Sequence, residues 1–167
     1  MSDNYPLPSF HFRVDFLFPN ESVSDTECRF SSVSGIGTTV EYTDYKELGS
    51  LYNKLKLPVS RSYDNLVLER GLITLSRIFQ WFQQSYYDLQ VELIPILVCL
   101  LNEKHSPTLS WLFFDAYPVN WKYSKMDALK NEYLVETITI GYSNFIELKN
   151  SDNKTSDAFI SDVKSRL

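Results

Sequence analysis

The chain has 167 residues, 44% of them hydrophobic, which suits a single domain burying roughly 70% of its unfolded surface. Its formal net charge is −5 with no basic cluster, which argues against binding to a phosphate backbone or attraction to an anionic membrane. Eleven Phe, eleven Tyr and three Trp are too many for a disordered chain and favour pleated sheet.

In chain order, Phe10, Phe12, Val14, Phe16 and Phe18 alternate with His11, Arg13 and Asp15, which predicts a strand with one buried face. Residues 28–33 predict a shorter strand, ended by Gly35 and Gly37 in a turn or bulge. Residues 38–45 and 55–57 read as the two arms of a weakly apolar hairpin. Its outgoing arm carries Glu41, Asp44 and Glu47, and its returning arm Lys54, Lys56 and Arg61, so opposed charges can pair across it. Exposed pairs contribute only about 0.2–1 kcal/mol, and a lone hairpin is marginal in water. This one needs a surface to lie on.

Residues 66–70 predict a strand broken by Gly71. Leu75, Ile78, Phe79 and Phe82 share one helical face, with Thr74 as N-cap and an end near Ser85-Tyr86. Residues 91–101 form a strand in which Pro95 marks an edge or a bulge. A turn at 102–107 leads to a partner strand at 109–114, a bend at Ala116-Tyr117-Pro118, and a further strand at 119–123. From 132 to 145 the faces separate: Leu134, Glu136, Ile138, Ile140 and Tyr142 on one side; Tyr133, Val135, Thr137, Thr139, Gly141 and Ser143 on the other. The polar stretch 150–167 is either a frayed tail or a docking helix formed by Phe159, Ile160 and Val163.

The fold class expected is mainly β: an antiparallel barrel or sandwich of about eight strands, one packed α-helix and an extended hairpin. The domain occupies 1–149, with 150–167 as an appendage. Cys28 and Cys99 lack CxxC spacing and read as reduced core thiols. The first residues, MSDNYPLPSF, have neither a basic region nor an apolar run, so no secretory signal is expected. The most apolar window, 91–101, is about half the ~20 residues a membrane helix needs.

Catalytic chemistry finds little support. His11 sits on a polar strand face and His105 in a turn, neither at ligand spacing from other donors, so no metal and no cofactor is expected. Gly35 and Gly37 lack the rest of a phosphate loop, and Asp127, Glu132 and Glu136 read as solubilising charge. Trp81, Trp111 and Trp121 read as core anchors, the alternative being the lining of a small-ligand site. No enzyme is predicted.

Four collinear patches carry a family resemblance: Tyr5-Pro6-Leu7-Pro8 with the Phe-rich strand; Phe30-Ser31-Ser32-Val33-Ser34-Gly35-Ile36; Lys56-Leu57-Pro58 leading to Asn65-Leu66-Val67-Leu68-Glu69-Arg70-Gly71; and residues 100–145. Together they resemble the phage tail-tube family, which includes inner-tube subunits of extracellular contractile injection systems and is akin to the type VI secretion tube protein. The resemblance implies a six-fold ring around a channel, stacked with tube-family paralogues and accompanied by baseplate, spike and sheath proteins. It also implies cytoplasmic assembly into a phage tail or injection particle. The hairpin residues Glu41, Tyr42, Asp44, Tyr45, Lys46, Glu47, Tyr52, Lys54 and Lys56 would then reach neighbouring subunits. Thr137, Thr139 and Ser143 would line the channel, the alternative being an ordinary solvated face. The tip Lys46-Glu47-Leu48-Gly49-Ser50 departs from the family's acidic-glycine pattern. The Asn102–His105 turn and the 116–121 corner look closer to baseplate-proximal, tube-initiating paralogues than to the repeating shaft subunit.

Overall fold

The computed structural model describes residues 12–19, 23–24, 27–46, 54–73, 76–127, 133–149 and 156–166. Within them lie β1 (Phe12–Phe16), β2 (Ser32–Ser34), β3 (Thr38–Lys46), β4 (Lys54–Tyr63), β5 (Leu66–Gly71), α1 (Arg77–Tyr87), β6 (Ile94–Leu101), β7 (Pro107–Tyr123), β8 (Val135–Gly141), β9 (Asn144–Lys149) and α2 (Ser156–Ser165). Seven strands form one antiparallel sheet in the order β1-β6-β7-β8-β5-β2, with β9 beside β7, while β3 and β4 form a separate pair.

The long strand β7 turns one sheet into two layers. Its residues 109–114 pair with β6 and with β9, whereas 117–123 pair with β8. Between the halves Asp115 adopts a left-handed φ of 51°, and the β6–β7 register slips between Ile94 and Ile96. The predicted bend at 116–118 is therefore a kink within a continuous strand. The same slip leaves Pro95 in a bulge, where its missing N–H costs no ladder bond; its carbonyl accepts from the Leu17 N–H at 3.0 Å. Of the two readings of Pro95 the bulge holds, since β6 is interior, flanked by β1 and β7.

The layers close on a core of Val14, Phe16, Leu66, Leu68, Ile96, Phe113, Ile138 and Ile140, and α1 adds Ile78, Trp81 and Phe82. Trp81 is fully buried, meets Phe16 and Phe18 edge-on at 6.1 and 6.0 Å, and donates from Nε1 to the Glu92 carbonyl at 2.8 Å. An indole buries well because its one polar atom is satisfied. The sheet stays open, so the fold is an antiparallel sandwich with a helix packed on it.

Three local expectations change. The helix is capped by Ser76, whose hydroxyl accepts from the Phe79 N–H at 3.0 Å, while Thr74 lies outside the described residues. The strand predicted at 28–33 begins only at Ser32, and Cys28 sits in a turn. β1 is buried on both faces, because Leu17 joins a second apolar cluster with Leu97, Cys99, Leu101, Leu112 and the α2 residues Phe159, Ile160 and Val163. The stretch after residue 149 thus supplies a helix that covers the outer side of β1, β6 and β7.

Candidate assembly surfaces

The hairpin β3–β4 projects from the sandwich as a ladder running from Thr38↔Tyr63 to Lys46↔Lys54. Its base is anchored. Tyr63 meets the rings of Tyr142 and Phe145 at 5.7 and 5.9 Å, and Gly35 takes a left-handed φ of 84° so close to Asn65 that a Cβ would lie 1.9 Å from its carbonyl oxygen. Only glycine fits there.

Beyond the base the ladder is exposed on both faces. Tyr42, Tyr45, Leu55, Leu57 and Val59 are 60%, 50%, 50%, 46% and 66% exposed. Below the bulge at Glu41/Tyr42, the register puts Tyr45 and Leu55 opposite each other and Leu57 opposite Thr43, so these apolar residues share one face. Asp44 stands opposite Lys56 as the charge pattern suggested, and the ladder's last backbone pair is Lys46 with Lys54. Glu41 lies opposite Ser60 and accepts its hydroxyl proton at 2.7 Å. Glu47 and Tyr52 lie outside the described residues.

A second surface is the outer face of the four strands β2, β5, β8 and the second half of β7. Cross-strand partners share a face, so Thr139 lies with Val67 and Asn120, and Thr137 with Glu69 and Lys122; Ser32 and Ser34 continue the rows opposite Glu69 and Val67. The face is polar across its width, and Thr137 and Thr139 are half-buried in it. Ser143 is elsewhere. It sits in the β8–β9 turn and donates to Asp115 Oδ2 at 2.7 Å. Among the described residues, neither edge of this four-stranded unit, β2 or residues 117–123 of β7, has a further strand beside it.

Glu136 overturns its reading as solubilising charge. It faces inward, is 0% exposed, and pairs with the equally buried Arg70 of β5. Arg70 also donates to the Glu27 carbonyl at 2.7 Å and to Ser76 Oγ at 3.1 Å, and lies over the Phe30 ring at 5.2 Å. Glu27 in turn accepts the Arg77 N–H at 2.7 Å at the start of α1. Burial pushes the Glu136 carboxyl above its ordinary value, with Arg70 opposing. A guanidinium with five donors can tie a loop, a helix start and two strands together at one point. Sequence reasoning missed this network. The signal available was Glu136 at an inward position of an alternating strand, which calls for a buried cation.

No group of three metal-ligating side chains occurs among the described residues. Nor is any described helix long and apolar enough to cross a membrane.

The profile of the T4-like virus tail tube protein gp19 family matches residues 8–146. The chain belongs to that family. A chain of the anti-feeding prophage (AFP) baseplate, 6-fold symmetrised, is 28% identical over 88% of this chain and 98% of its own, with a TM-score of 0.77. One from the AFP tube-terminating cap is 26% identical over 89% and 95%, TM-score 0.74. An Hcp protein shares the fold at 10% identity, covering 86% and 95% with a TM-score of 0.55. Among curated proteins none matches the chain. In this tail-tube subunit the family match spans both surfaces described above and stops before α2.

Proposed function

We propose that the chain is a structural, non-catalytic ring-forming subunit of the inner tube of a contractile injection particle or phage tail. The observation that carries this reading is the projecting hairpin β3–β4, with apolar side chains exposed on a polar ladder that, among the described residues, pairs with no other strand. Such a hairpin is marginal alone and becomes stable when a neighbour covers it. The uncapped edges at β2 and at 117–123 of β7 support ring closure by copies of the chain, which removes the aggregation hazard of open strands. The relatives in the AFP baseplate and cap assemblies give the same direction.

In this reading the ring is six-fold, Thr137 and Thr139 face the channel, and sheath, spike and paralogous tube subunits are the other partners. Assembly takes place in the cytoplasm before the particle is completed. We place the ring at the baseplate-proximal end of the tube, on the strength of the Asn102–His105 turn and the 116–121 corner.

Negative-stain microscopy of the purified full chain tests this. Six-fold rings are the expected result, and a persistent monomer at high concentration would sink the proposal. Single rings fit a starter ring, whereas long homotypic tubes would assign the chain to the repeating shaft.

A further inference from the structure

The helix α2 is ten residues long, too short to hold its shape alone in water, so it is helical because it is docked. Phe159, Ile160 and Val163 are buried against a strip formed by Leu17, Leu97, Cys99, Leu101 and Leu112, with Phe114 and Leu148 packed beside it. An ion bridge ties the start of the helix to this seat, from Arg13 Nη1 to Asp157 Oδ1 at 3.0 Å. The outward side of α2 has the opposite character. Asp157, Ser161, Lys164, Ser165 and Arg166 are exposed, and Arg166 pairs with Asp162 one turn back at 3.1 Å. Nothing large and apolar faces solvent from it among the described residues.

Lifting α2 would bare one apolar strip across the adjacent strands β1, β6, β7 and β9. It already continues past the helix. Ile146 stands opposite Leu112 on the same face of β9 and is 45% exposed. A contiguous apolar patch on a sheet face is a surface that joins proteins. Every copy carries the same strip, so a bare strip can meet that of a second copy about a two-fold axis, apolar against apolar. Arg13 and Asp15 on its edge strand have opposite signs and bring no net charge to oppose the contact. The strip lies on the outer side of one layer of the sandwich, and Thr137 and Thr139 on the outer side of the other. In a ring whose channel is lined by the threonines, α2 therefore covers the outside wall.

We propose that α2 is a guard helix: in each copy it covers an apolar strip that would otherwise bind the same strip of a second copy. Assembled rings are thereby kept from joining side by side. The inference goes beyond the assembly reading, because strip and cover both belong to a single chain. It also gives a role to a segment that lies beyond the residues matched by the family profile.

The test keeps the full chain and opens the guard with Phe159→Asp and Ile160→Asp together. Sedimentation velocity over a concentration series should show the variant associating beyond the parent's own unit. Monomers should pair, or rings should cluster at their outer walls in negative stain, at a concentration about ten-fold below that of any such association of the parent. Because the parent's unit is the reference, whether ring or monomer, failure of the ring reading leaves this test intact. Cys99, fully buried in the parent, should react with maleimide in the dilute variant and be protected again as concentration rises. Adding Leu112→Lys places a charge in the strip and should abolish the association, which separates a strip contact from misfolding. A variant that keeps the parent's state at every concentration overturns the guard. So does association that Leu112→Lys leaves unchanged, or clustering of rings through another face. A Cys99 that stays inert at every dilution would show that α2 is not the cover, with the same consequence.

Discussion

Two buried carboxylates do different work at the level of single residues. Glu136 completes the Arg70 network, and removing its partner would leave a charge in the core. Arg70→Ala should therefore lose about 3–5 kcal/mol by urea denaturation, while Arg70→Met combined with Glu136→Leu should lose less than Arg70→Ala alone. Additive losses in the double variant would show that the pair is not a unit. Asp15 lies under α2, 6% exposed, bonded at 3.0 Å to Arg13, whose other arm reaches Asp157 at 3.0 Å. Burial raises its carboxyl, with Arg13 and Lys164 pulling down and Asp157 pushing up. A carboxyl raised in the folded state holds its proton more tightly there than when unfolded. Its contribution is then most favourable below the ordinary value of 3.8 and is lost as pH rises through the raised one. Asp15→Asn should accordingly be more stable than the parent at pH 7, by a margin that shrinks at pH 4. An equal margin at both pH values would refute the assignment.

Among the elements, α2 is the one whose removal reports most cleanly. Phe159, Ile160 and Val163 cover Leu97, Cys99 and Leu112, and burial pushes the Cys99 thiol up to about 12. In the intact chain Cys99 should resist maleimide at pH 8, since the thiolate is the reactive form. Truncation after residue 149 should expose it and make it react, measured by mass spectrometry with Cys28 as internal control; an inert Cys99 in the truncated chain would mean that α2 is not its cover. Ile160→Ala should cost about 2 kcal/mol. The pattern Phe-Ile-x-x-Val showed that this stretch could be a helix but could not show what it meets, because the apolar face it covers comes from β1, β6 and β7 by long-range pairing. The same limit explains the strand β1. Alternation reveals one buried face, and the burial of Asp15 and Leu17 on the other depends on an element about 140 residues away. By contrast α1 and β8 were legible, because their spacing alone sorts inward from outward residues. The error at the helix start is a shift of two residues from the expected Thr74, since the cap is set by which hydroxyl meets a free first-turn N–H, here that of Ser76 accepting from Phe79.

For the whole molecule, the separation between core and projecting arm decides how the chain responds to loss of the arm. The sandwich closes through Phe113, Ile138 and the Arg70 network, none of which involves residues 44–54. The hairpin meets the body at its base, through Tyr63 and the Gly35 turn, so an excision on the far side of the bulge from that base leaves those anchors in place. Deleting 44–54 should leave far-ultraviolet dichroism per residue and the thermal midpoint nearly unchanged, while light scattering shows loss of ring stacking. A fall of the midpoint together with assembly would mean that the arm belongs to the fold. The polar face behaves differently. Thr139 stands between Val67 and Asn120 with its side chain half out of the sheet, so Thr139→Phe adds a ring to a surface rather than to a packed interior. The variant should fold with an unchanged midpoint and still assemble, but with a narrowed channel in averaged images. Unfolding of the variant monomer would show instead that this face is covered within a single chain, and the channel assignment would fall while the hairpin argument stood.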